Sequence, residues 1–99
     1  MRSLEQIKNR LREFAAERDW DQFHSPKNLA MALIVEAAEL VEHFQWLTEE
    51  QSQSLTPEKL AEVEQEIADI QIYLIRLADK LGIDIENAVD AKIKINEHK

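Results

Sequence analysis

Between Leu29 and Val41 the chain reads LAMALIVEAAELV, and Glu36 and Glu39 are the only polar residues in it. Thirty residues further on, Glu66 and Asp69 repeat the same spacing. A helix that is apolar on every side is a buried helix, and an ionised carboxylate buried without a partner is costly. No Lys or Arg occurs between Lys27 and Lys59, so this helix supplies no counter-charge of its own. Residues three apart on a helix project from the same side. If the helices carrying the two pairs pack antiparallel, Glu36, Glu39, Glu66 and Asp69 direct four oxygen ligands at one place. Hard oxygen donors, with no histidine inside either pair, suit Mg²⁺ or Mn²⁺ better than zinc or copper. Spaced carboxylates are ordinarily a solvated face, and it is the apolar setting of Glu36 and Glu39 that favours a metal site. Glu62 and Glu64, in the polar run AEVEQE, keep the solvated reading.

Other chemistries find less support. A di-iron bundle needs Glu-x-x-His on two helices, and neither carboxylate pair has it. His43 follows Glu39 by four residues and is read as a surface histidine. Thiol catalysis is excluded because the chain has no cysteine, and the single Gly82 cannot form a phosphate loop. Hydrolysis by metal-activated water is the economical alternative. Trp20, Phe23, His24 and Trp46 form a polar-aromatic group outside the periodic apolar stripes. Both tryptophans fall at helix ends, where flat rings can sandwich a base, although tryptophan in a small bundle is more often a core residue. Lys92 and Asn96, four apart, offer a cation and an amide, but taken alone the pair is better read as solvent-facing.

The elements that must position these residues can be punctuated from their caps. Ser3 with Gln6 makes a capping box, and Leu4, Ile7, Leu11 and Phe14 then share one face of a first helix running to about Arg18. DWDQFHS has no helical period. Ser25-Pro26 starts a second helix, expected to reach Trp46 or Leu47, and Thr56-Pro57 starts a third, stopped by Gly82 after Leu81. Asp84 caps a short fourth helix ending near His98. Short connections between successive helices give antiparallel neighbours, so the expectation is an all-α four-helix bundle in one domain, residues 1–99. From Ile67 to Leu81 the third helix is apolar on nearly every face, more than a small subunit covers, which predicts self-association.

Composition agrees. One glycine and two prolines in 99 residues favour a few long helices over many strands. A net charge of −8 argues against a nucleic-acid polymer as partner, though not against a single nucleotide. No apolar run reaches the ~18 residues of a membrane span, and the amphipathic N-terminus is unlike a signal peptide. Absence of cysteine fits a reducing cytoplasm.

Glu36-Ala-Ala-Glu39 followed by Glu66-Ile-Ala-Asp69 resembles the split E-x-x-E…E-x-x-D motif of the MazG-like, all-α nucleoside triphosphate pyrophosphohydrolases. The segments FAAERDWDQFHSPKNL, ELVEHFQW, IADIQIYLIRLA and AVDAKIKIN are similar to the dCTP pyrophosphatase branch of that family. The resemblance covers nearly the whole chain. It implies that Glu36, Glu39, Glu66 and Asp69 hold Mg²⁺ on a triphosphate, and that Trp20, His24 and Trp46 line a base pocket bordered by Tyr73. It further implies that Lys92 and Asn96 contact the nucleotide, that cleavage falls between the α- and β-phosphates, and that the sites are built in dimers or dimers of dimers. Glu39 is the carboxylate expected to orient the attacking water. The chain departs from the pattern at Leu11, where some relatives carry histidine, and in stopping at Lys99, where relatives continue. A non-catalytic, nucleotide-sensing or oligomerisation module on the same fold is the alternative that this stop suggests.

Overall fold

Every α-helix opens on a side chain that accepts a hydrogen bond from the backbone three residues on. In the computed structural model, which describes residues 3–99, Ser3, Ser25, Thr48, Thr56 and Asp84 take this role. The helices they start are α1 (Leu4–Glu17), α2 (Pro26–Glu42), α3 (Glu49–Ser52), α4 (Pro57–Lys80) and α5 (Ile85–Glu97). A 3₁₀ turn, Trp20–Phe23, joins α1 to α2. Asp19 precedes it with φ +55°, a left-handed conformation that redirects the chain and that Asp adopts more easily than most residues. Among the described residues there is no strand, and no helix is long and apolar enough to cross a membrane.

The count of helices differs from the four expected. The second helix ends at Glu42 instead of Trp46, because the amides of His43 and Phe44 bond three residues back, to Leu40 and Val41. Gln45 makes a last i→i−4 bond to the Val41 carbonyl, and Leu47 then bonds three residues back to Phe44. Thr48 and Gln51 then form a capping box, which opens the single helical turn α3 inside a stretch expected to be a plain polar link.

Helix α4 is the centre of the arrangement, with α2 packed along it and α1 against it. Glu36 of α2 lies beside Glu66 of α4, whereas His43, just past the end of α2, meets Lys59 and Glu62 earlier on α4. Pairings that run in opposite senses make the two helices antiparallel. Arg12 of α1 is clamped by Asp79 near the far end of α4, with Nε donating to Oδ2 at 2.6 Å. The buried residues Ala15, Leu29, Val63, Ile75 and Ala78 mark the small core between these three helices. Helix α5 has no extensive packing against another helix, and of its residues Ile85 alone is half-buried.

Gly82 ends α4 as the sequence predicts. Its φ is +69°, its amide bonds to the carbonyl of Asp79, and the next amide, of Ile83, bonds to that of Ala78. This is a Schellman closure. A Cβ at Gly82 would meet nothing within 4 Å, so the cost of substitution lies in the backbone alone. Gly82→Ala is therefore expected to destabilise the protein by about 1–2 kcal/mol and Gly82→Asn by less, as read from urea unfolding midpoints. Equal stability of all three proteins would contradict the cap assignment.

Candidate active site

Because α2 and α4 run antiparallel, their carboxylate pairs face one another. Glu36, Glu39 and Glu66 each place an oxygen within 4.8 Å of the others. One buried oxygen of Glu36 and one of Glu66, both Oε2, have no hydrogen-bond donor. The Glu36 carboxyl is pushed up to about 7, from an ordinary 4.5, by burial first and then by Glu66, Glu39 and the charge of Asp69. A proton on Glu36 lets it donate to Glu66, the cheapest local relief when no cation is bound. The donor set fits a hard divalent metal: it is all oxygen, like-charged, partly desolvated and carries unpartnered lone pairs. Asp69 is exposed, one turn from Glu66 on the same face of α4.

His43 corrects the sequence expectation of a surface histidine. Its side chain is largely buried, with Nδ1 3.3 Å from Lys59 Nζ and Nε2 4.0 Å from Glu66 Oε1. Nδ1 also lies 3.7 Å from Glu62 Oε2, so the ring sits between the carboxylates of Glu62 and Glu66. Glu62, bonded to Lys59 at 3.2 Å and more than half exposed, is the solvated residue expected.

Asp69 also borders an open-sided cavity of about 700 Å³ lined by α1, the 3₁₀ turn and α4. That volume lies within the usual range for small-ligand sites. Its walls are apolar: Ile7, Leu11, Phe14, Trp20, Phe23 and Ile72. Phe14 and Trp20 meet edge to face with centroids 5.2 Å apart, and the Arg18 guanidinium caps Phe14 at 3.5 Å. Its polar residues are Arg10, His24, Asp69, Tyr73 and Arg76. Asn28 Nδ2 donates to the Phe23 carbonyl at 3.0 Å, which ties the turn bearing Trp20 and His24 to the start of α2. The His24 pKa is lowered, by burial first and by the charge of Arg76 second, so the ring is neutral near pH 7.

Of the residues singled out in the sequence, Glu36, Glu39 and Glu66 converge in one cluster, and Trp20, His24, Asp69 and Tyr73 line the neighbouring cavity. Trp46 does not join it within a single chain. It is 86% exposed and absent from the cavity lining, because α2 ends before reaching it. Lys92 and Asn96 are exposed on α5, also outside the lining. Sequence reasoning missed Arg76, a cation buried in the apolar run of α4, and Asp21, which accepts its hydrogen bond at 2.6 Å. The available signal was the lone charge in IQIYLIRLA.

The arrangement has close counterparts. The chain is 43% identical over 99 residues to dCTP pyrophosphatase 1 of Homo sapiens and of Bos taurus, in alignments that cover 98% of it. It spans 58% and 59% of the length of those two relatives. It is also similar to the crystal structure of a pyrophosphatase from Archaeoglobus fulgidus, with a TM-score of 0.92 and 39% identity, over 99% of this chain and 92% of that one. The model of the MazG-like family matches residues 31–99, a span that holds all four carboxylates. With that match over more than half of the residues and relatives aligned along nearly all of them, the chain belongs to the MazG-like family.

Proposed function

We propose that the protein hydrolyses deoxynucleoside triphosphates between the α- and β-phosphates, releasing a monophosphate and pyrophosphate, with a preference for dCTP or modified cytosine nucleotides. One observation carries this reading: a converging carboxylate cluster with unpartnered buried oxygens lies beside an aromatic-walled cavity of nucleoside size. The names borne by the human, bovine and archaeal relatives support it.

Glu36, Glu39, Glu66 and Asp69 would hold the cation, Mg²⁺ or Mn²⁺. When bound, it supplies charge neutralisation on the triphosphate and activation of water. Trp20 takes a flat face of the base, His24 and Tyr73 border it, and the apolar walls exclude water from the base. Asp69 touches both the cavity and the carboxylate face, which sets the phosphates next to the metal ligands when the base is seated. The Glu39 carboxylate orients the attacking water and takes up its proton. Trp46, Lys92 and Asn96 reach a site only as part of an assembly, each from a second copy of the chain. We place this activity in the cytoplasm.

Purified protein with Mg²⁺ or Mn²⁺ should release pyrophosphate and dCMP, rather than phosphate and dCDP, from dCTP, and chelation by EDTA should stop turnover. If neither metal yields pyrophosphate from any member of a deoxynucleotide panel, the reading is wrong. Nucleotide binding without turnover would then favour a sensing module.

A further inference from the structure

Arg76 is 4% exposed, and among the described residues it is the one charged residue that is buried as a whole. It lines the cavity between α1 and α4. Its charge is balanced: Nη2 donates to Asp21 Oδ1 at 2.6 Å, and Nη1 lies 3.8 Å from Asp79 Oδ2. Both carboxylates are shared, Asp21 with Lys80 at 3.1 Å and Asp79 with Arg12 at 2.6 Å. Nη2 also approaches His24 Nδ1 at 3.5 Å. A guanidinium has no acceptor, so Nδ1 accepts there and His24 carries its hydrogen on Nε2.

Two of the Arg76 nitrogens are left without a hydrogen bond: Nη1, whose 3.8 Å approach to Asp79 is an ion pair beyond hydrogen-bond reach, and Nε, which is buried. Native proteins leave very few buried donors unmade, and each one that persists calls for a reason. The aromatic and aliphatic walls cannot accept a hydrogen bond, and neither Tyr73 nor Asp69 bonds to this atom. A purely structural role, pinning the 3₁₀ turn to α4 through Asp21, would use Nη2 and explains nothing about Nε.

We propose that Arg76 is a specificity-determining residue that donates a hydrogen bond to a carbonyl oxygen of the bound nucleobase, with His24 Nε2–H as a second donor nearby. This rests on the reading that the cavity takes the base of a nucleotide. Arg76 and His24 are donors in a lining whose other polar residues are Arg10, Asp69 and Tyr73, and beside them a base that presents a carbonyl acceptor is favoured. Cytosine, thymine and guanine each carry a carbonyl oxygen; adenine carries none and presents an amino donor instead. A site built to satisfy its own buried donor rejects the analogue that cannot do so far more strongly than an apolar pocket would.

The test compares dCTP, dTTP and dATP in two readouts, kcat/KM with Mg²⁺ and calorimetric binding of their α,β-imido analogues. Wild-type protein should favour the two carbonyl-bearing nucleotides over dATP in both. In Arg76→Gln, and in Arg76→Lys, which keeps the charge but loses the Nε donor, that ratio should fall by about 10- to 100-fold. Loss of a merely structural contact would lower all three nucleotides together and leave the ratio intact. A ratio unchanged in a folded variant overturns the assignment. So does wild-type protein that binds the adenine analogue as tightly as the cytosine one, a result that needs no variant to fold. Discrimination in binding without turnover would instead sink the enzymatic reading and leave Arg76 standing.

Discussion

Replacing Glu36 by glutamine is expected to reduce turnover by on the order of 10³-fold or more while leaving the metal-free protein at least as stable as before. Residues that merely orient metal ligands cost 10- to 100-fold when changed, so a direct ligand should cost more. The stability half of the prediction comes from the same geometry. Glu36 sits in a cluster with Glu39 and Glu66, and burial and those neighbours raise its pKa to about 7. At pH 8 the metal-free protein holds this carboxylate ionised at a cost of about 2–3 kcal/mol, which glutamine removes. Asp69→Ala should likewise abolish activity without loss of stability. Steady-state kinetics and thermal unfolding in EDTA read the two effects separately. A Glu36→Gln protein that kept full metal-dependent turnover would remove Glu36 from the ligand set.

The same group gives stability a defined pH dependence. Between about 4.5 and about 7 the folded protein binds a proton at Glu36 that the unfolded chain has released. Stability of the metal-free protein from this group therefore falls as pH rises through that window and levels off above it. Mg²⁺ requires the ionised form, so its stabilising effect should grow over the same range. Glu36→Gln should flatten the first dependence and abolish the second.

Local signals in the sequence were dependable because local chemistry decides them. Ser3, Ser25, Thr56 and Asp84 cap the helices expected of them, and Gly82 closes α4 with the left-handed turn that only glycine adopts freely. The convergence of Glu36, Glu39 and Glu66 could be read for a different reason. Apolar neighbours made Glu36 and Glu39 anomalous, and antiparallel packing follows from a short connection. What stayed hidden depended on contacts between distant residues. Nothing near His43 in the sequence announces that Lys59 and Glu66 enclose it. Arg76 looked like one polar residue in an apolar helix until Asp21, fifty-five positions away, proved to be its partner. The end of α2 was misplaced because FQW continues the apolar pattern while the backbone has already turned into tighter hydrogen bonds. The expected surplus on the third helix is also redistributed. Ile75 and Ala78 are buried while Ile67, Ile72 and Leu81 stay exposed, and the outward stripe of α2 is bare as well.

That bare stripe leads to the expectation that the protein unfolds at a temperature that depends on its concentration, as an obligate oligomer does. Met31, Ile34, Val35 and Val41 lie at helical spacing on one side of α2, all exposed, with Ile34 at 66%. On α5, Val89 and Ile93 are exposed in the same way, and Lys92 and Asn96 follow each of them by three residues, on the same side of the helix. The chain exposes 7849 Å², where a folded monomer of 11.6 kDa exposes about 5,800 Å². Its radius of gyration, 16.0 Å, compares with about 13 Å for a compact domain of this length. An excess of about 2,000 Å² per chain is the burial typical of an obligate homodimer. Covering α5 with another copy would bring Lys92 and Asn96 against that copy, which is how residues remote from the cavity in one chain can serve a site in its neighbour. Ile34→Glu places a charge in the middle of the α2 stripe and should dissociate the assembly, with loss of activity and a sharp fall in melting temperature. Light scattering that found the unaltered chain to be a stable, active monomer at micromolar concentration would overturn the assembly and, with it, any role for Lys92 and Asn96 across an interface.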